Sequence, residues 1–305
     1  MININENFTM IKNQNHLGGI CMILSVLFFS LMDVLIKITE EYDVGQVMFS
    51  RAIFGLIPIF FLIPREKLKN FYKTKYKGLH FYRSFVGAVA MYAIFVGLRN
   101  LELAEVTSMA FSGPIWVVIF SILFLGEKIR MKRWIAVGLG FMGVLVISKP
   151  GFDNLNLYYI YPVIFTLGFA GVSIFIRKLT LVGEPVYLIA FYFSICSAIF
   201  GLFTLPFGGW LIPNVYDLIL LILIGLFGSV ANLLLTKSYQ LAEVSLTTPL
   251  KYLSLVFAII FGFYIFDESP TFYTLSGASL IVVSSAIIFV REHQLKKPIT
   301  LPRQQ

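Results

Sequence analysis

Charge is what this sequence has least of. Asp, Glu, Lys and Arg make up 13% of its 305 residues, about half the roughly 25% usual in soluble domains. Hydrophobic residues reach 58% and the mean hydropathy is +0.85. No soluble core absorbs so much apolar surface. The apolar residues arrive in blocks of about 20, the length that spans a ~30 Å hydrocarbon layer at 1.5 Å per residue. Cysteine is equally scarce: Cys21 and Cys196 each sit inside an apolar block, which excludes a disulfide framework or a cysteine metal cluster. The three histidines, His16, His80 and His293, fall at block ends or beyond and make no triad or metal spacing. No phosphate-binding P-loop is present. Catalytic residues, metal and cofactor are therefore all expected to be none.

What is there reads as an all-α integral membrane protein of ten transmembrane helices. The blocks run Leu17–Ile38, Val44–Ile63, Phe81–Asn100, Val106–Leu125, Trp134–Ser148, Leu157–Arg177, Val186–Pro206, Tyr216–Ser238, Val244–Phe266 and Phe272–Val290. The first is too long for a signal-peptide core and reads as a retained signal anchor. Connections are short and leave no room for a soluble catalytic domain. The net charge of +8 gathers in alternate connections, among them Arg65, Lys67, Lys69, Lys73, Lys75, Lys77 and Arg83 after the second block and Lys128, Arg130, Lys132 and Arg133 after the fourth. The intervening connections hold only Arg99 and Lys149. That bias predicts both termini in the cytoplasm and accounts for the positive charge without nucleic acid.

The halves resemble each other. LFFSLMDVLIKI from Leu27 aligns with LGFAGVSIFIRKL from Leu167, pairing Lys37 with Arg177. LAEVT from Leu103 matches LAEVS from Leu241, and Gly126-Glu127 then corresponds to Asp267-Glu268. Five helices per copy is an odd number, so the second copy lies upside down, an architecture of secondary transporters with a site at the repeat interface. The expected organisation is a polar cytoplasmic N-terminus (1–16), a first five-helix repeat (17–150), a second (151–291) and a cytoplasmic tail (292–305).

GLGFMG at Gly138–Gly143 has G-x-G-x-x-G spacing but lies inside a span entered from a basic loop, not between a strand and a helix. Ala136, Gly140 and Gly143 share a face, which fits close helix packing. Charge within the hydrocarbon is the sharper functional signal, because each such residue costs several kcal/mol unless paired or hydrated. Asp33, roughly 22 Å into the first block, and Arg51, roughly 10 Å into the second from the opposite side, fall at similar depth. Lys37 is one turn beyond Asp33. These three are expected to form an outer polar layer that binds or gates solute, with Asp33 the candidate proton site. A structural ion pair with a snorkelling lysine is the bland alternative. A second layer comprises Asn232, Lys251 and Tyr252, near the helix-breaking Pro249. Pro114 breaks the fourth block in the same way, and Tyr92 and Trp116 are plausible cavity liners.

The segment LGEKIRMKRWIAVGLGFMGVLVISKPG from Leu125 resembles the end of an EamA domain of the drug/metabolite transporter superfamily, with a G-E after the fourth helix and a glycine-rich fifth. FDESPTFYTLSGASLIV from Phe266 is a weaker copy, and PLKYLSLVFAIIFGFYIFDESP is similar to S-adenosylmethionine uptake carriers and, less so, riboflavin carriers. The resemblance implies a carrier of small polar metabolites, powered without ATP, in a bacterial inner membrane. The bilayer, a small-molecule substrate and a coupling proton are the expected partners. An uncoupled channel or facilitator, or an interfacial membrane enzyme, are the alternative readings.

Overall fold

A computed structural model describes residues 4–113, 116, 131–148, 156–241, 250–251 and 253–294, and within them every regular element is helical. The helices are α1 (Ile4–Ile38), α2 (Val44–Phe54), α3 (Leu56–Phe61), α4 (Lys77–Asn100), α5 (Leu103–Ala110), α6 (Met131–Ser148), α7 (Ile160–Leu181), α8 (Val186–Leu202), α9 (Val215–Leu241), α10 (Leu253–Phe266) and α11 (Phe272–Gln294). Among the described residues, five segments are long and apolar enough to cross a membrane: His16–Ile38, Val44–Phe61, Lys77–Asn100, Leu157–Ile176 and Val215–Ser238. Gly138–Ile147, Val186–Leu202, Leu253–Phe266 and Phe272–Ser284 are shorter apolar helices. In lipid each backbone N–H and C=O must be satisfied within the chain, which is why apolar composition here means helix.

The second block is not one helix. Pro58 lacks an N–H and its ring crowds the carbonyl four residues earlier, so the chain breaks at Gly55 and restarts as α3. A Cβ on Gly55 would lie 2.6 Å from the Arg51 carbonyl oxygen and 3.3 Å from that of Gly225, so glycine there also lets α9 approach. The block expected to reach Pro206 ends as a helix at Leu202 and continues as turns.

The most extensive packing joins α1 to α9, α4 to α7, α6 to α11 and α2 to α8, with α5 against α10. Between α1 and α9, Ser25 donates to the Ala231 carbonyl at 2.8 Å and Ser238 to that of Gly18 at 2.8 Å. Buried hydroxyls thus find helix carbonyls where lipid offers none. Between α6 and α11 the contact is reciprocal. A Cβ on Gly143 would meet the Gly277 carbonyl at 2.7 Å, and one on Gly277 would meet the Gly143 carbonyl at 2.6 Å. The glycine run of α6 is therefore a packing surface at Gly143, whereas Gly138 is exposed with nothing within 4 Å.

This contrast predicts stabilities. Gly143→Ala or Gly277→Ala forces backbone apart and is expected to cost about 1–3 kcal/mol in thermal melts of detergent-purified protein. Gly138→Ala is expected to stay within about 0.5 kcal/mol of the parent.

Candidate functional site

The polar side chains gather at three levels of the bundle. One is the acidic end, where the α1–α2, α4–α5, α8–α9 and α10–α11 connections meet. Asp43 caps α2 through the Gly45 N–H (2.8 Å) and accepts from the Thr204 hydroxyl (2.8 Å). Gln46 donates to the Leu211 carbonyl (2.6 Å) while its own carbonyl accepts from the Leu211 N–H (2.9 Å). Arg99 donates to the Tyr42 carbonyl and, at 3.0 Å, to that of Thr39. Tyr42 donates to Asp217 (2.7 Å), which pushes its hydroxyl above the ordinary value of 10 and keeps it a donor.

Lys37 belongs to this end. It forms an ion pair with Glu268, donates to the Leu101 carbonyl at 2.7 Å and lies 5.3 Å from the Phe266 ring centroid. Glu268 also accepts the Leu103 N–H (2.9 Å) at the start of α5. Both side chains are about one-seventh exposed. The turn that aims Glu268 depends on Asp267, whose φ of +54° is left-handed, and on the Glu268 N–H returning to the Gly262 carbonyl at 3.0 Å.

The middle level centres on Phe193 of α8. Arg51, 8% exposed, has its guanidinium carbon 5.7 Å from the ring centroid; Arg83, 3% exposed, has its own at 4.1 Å. Arg51 donates to thioether sulfurs, Nε to Met32 (3.3 Å) and Nη1 to Met91 (2.7 Å), which are weak acceptors. A Cβ on Gly228 of α9 would lie 2.7 Å from the Arg51 Nε, so glycine makes room for the guanidinium. Asp33, beside Met32, forms no ion pair with Arg51 within 4 Å.

At the basic end, Glu184 accepts from Thr74 (2.6 Å) and lies 3.3 Å from the His80 Nε2. Tyr192 donates to the Tyr72 carbonyl at 2.7 Å.

The structure thus separates residues that the sequence groups together. Lys37 does not join Asp33 and Arg51 but pairs with Glu268 nearer the acidic end. Arg83, counted with the basic loop, is buried in α4 beside Arg51. Its signal was present: His80, Arg83, Ser84, Gly87, Ala88 and Met91 fall on one helical face. Tyr92 packs 6.0 Å from the Phe200 ring centroid. Trp116 is helical and half-buried, and Asn232 is half-buried in α9. Lys251 has its ammonium 4.8 Å from the Phe169 ring centroid. Tyr252, Pro114 and Pro249 lie outside the described residues.

A bundle of apolar helices with buried charges at its centre fits a membrane, and comparison with known proteins makes it a transporter rather than an enzyme. Residues 16–149 and 156–290 each match the EamA-like transporter family, and the chain belongs to that family. It is 30% identical over 283 residues to an S-adenosylmethionine uptake transporter of Rickettsia conorii, covering 92% of this chain and 95% of the relative. It is 26% identical to a riboflavin transporter of Rhizobium johnstonii, covering 92% of both. A solved crystal structure shares the fold at a TM-score of 0.62 with 15% identity, covering 93% of this chain and 98% of its own. The protein is a membrane transporter of small metabolites.

The Asp267 turn yields a stability prediction. Asp267→Gly, which adopts positive φ freely, is expected to match or exceed the parent in thermal melts. Asp267→Val is expected to lose about 1–2 kcal/mol, because a β-branched residue resists the left-handed region.

Proposed function

We propose that the protein is a secondary carrier that moves a small polar metabolite by alternating access between two inverted five-helix repeats. The observation that carries this reading is the Lys37–Glu268 ion pair, which ties the first half of the chain to the second at one end of the bundle. A carrier needs such a closure at one end at a time, whereas a simple pore needs none.

The packing supports inverted repeats. Exchanging the halves turns the α1–α9 contact into the α7–α4 contact and returns α6–α11, α2 (with α3)–α8 and α5–α10 to themselves, as a two-fold relation requires. The same exchange relates Lys37 to Arg177 and Glu268 to Glu127. The lysine and arginine bias supports a cytoplasmic basic end with both termini inside, and the bacterial relatives support the inner membrane. Asp33 is half-buried with no hydrogen bond or ion pair among the described residues, and we read it as the coupling proton site. An S-adenosylmethionine-like solute is the favoured substrate, supported by the relative from Rickettsia conorii.

Counterflow tests the carrier. Proteoliposomes preloaded with unlabelled S-adenosylmethionine should accumulate the labelled form transiently above equilibrium; simple equilibration without overshoot would leave a pore. The latch has its own test. In a Cys21→Ser/Cys196→Ser background, Tyr92→Cys should react with an impermeant thiol reagent about tenfold faster once Glu268→Gln is added, for a latch worth about 1.4 kcal/mol. An unchanged rate would remove Lys37–Glu268 as a gate.

A further inference from the structure

We infer that Arg51, Arg83 and Phe193 form an anion site that takes the carboxylate of a zwitterionic, amino-acid-type solute. The inference rests on the carrier reading above and names the chemistry its central site selects.

Two guanidinium groups share one aromatic ring, which keeps their carbons within about 10 Å of each other. Neither forms an ion pair with a carboxylate within 4 Å among the described residues. The Nε and Nη1 atoms of Arg83 are buried and make no hydrogen bond among the described residues. Arg51 donates only to sulfur among its observed hydrogen bonds. A buried N–H of an ionised group left unmatched is costly, and the ring offers only partial compensation. Ser197, one turn along α8 from Phe193, also has a buried hydroxyl without a partner.

Other groups do not fill the gap. Glu184, on the connection before α8, is engaged by Thr74 and His80. Asp33 forms no ion pair with either arginine. The buried guanidinium donors lack an anionic acceptor among the described residues. A planar carboxylate satisfies guanidinium donors in pairs, and arginine is the cation shaped for it. Asp33 is left to face the solute's cationic end, as a zwitterion requires. A neutral solute would leave the arginines uncompensated.

The test titrates full-length, detergent-purified protein with two acids, S-adenosylmethionine and methionine, and with decarboxylated S-adenosylmethionine and methioninamide, following the thermal transition. At least one acid is expected to bind at least about 30-fold more tightly than its counterpart lacking the carboxylate. In Arg83→Gln that preference should vanish while the unliganded protein melts no lower than the parent, because the change removes an uncompensated buried charge. Arg83→Lys keeps the charge and should retain a reduced preference. Equal binding of acids and counterparts, binding of neither acid, or a full preference surviving in Arg83→Gln would overturn the inference. So would a lowered melt of unliganded Arg83→Gln, which would make the arginine structural. Carboxylate-dependent binding without flux in the counterflow assay leaves the anion site standing and removes the carrier reading.

Discussion

Hydrocarbon solvates neither a backbone amide nor a charge, and the architecture follows from that constraint. Backbone groups are satisfied along each helix, so every regular element among the described residues is helical. Side-chain hydroxyls turn to neighbouring carbonyls, as Ser25 and Ser238 do between α1 and α9. Helices without hydrophobic drive between them pack by close approach, and the Gly143–Gly277 contact brings backbone against backbone. The charges that remain inside are few, and each must have a reason.

Those charges divide by level. At the acidic end, opposite charges meet directly: Glu268 takes Lys37 and the Leu103 N–H together, and Arg99 is spent on backbone carbonyls. Such contacts join helices and loops and make that end firm. In the middle, Arg51 and Arg83 meet an aromatic ring and two sulfurs, partners that tolerate a cation without neutralising it. The first arrangement suits a closure and the second suits a site that must accept and release a charged guest. A site already neutralised by its own carboxylates would gain little from a solute anion.

Much of this was legible in the sequence, for a physical reason. Apolar blocks about 20 residues long fix the helices, and Asp33 and Arg51 stand out because lipid makes charge expensive. What was not legible depended on chain neighbours that mislead or on partners far away. Arg83 follows six lysines and arginines in twenty residues and so looks like loop, yet its face of α4 turns inward. Lys37 looks like a companion of Asp33, but its partner Glu268 is 231 residues away and is aimed by a left-handed turn that composition does not announce. The break at Gly55 needed Pro58 to be read as a clash one turn back and not as one more apolar residue.

The two proposed roles also constrain each other. Asp33 stands in α1 one turn before Lys37, so the latch and the central site share one rigid helix. A solute whose carboxylate pairs with the arginines and whose cationic end engages Asp33 changes the electrostatic balance on α1, and Lys37 moves with that helix. Releasing Lys37 from Glu268 would also free the start of α5, because Glu268 holds the Leu103 N–H as well. Occupancy and opening can therefore be coupled without a signalling path through the bundle, provided that the bound solute stabilises the two arrangements of α1 unequally. The coupling can be no stronger than that difference in binding, which an uncompensated arginine pair is suited to enlarge.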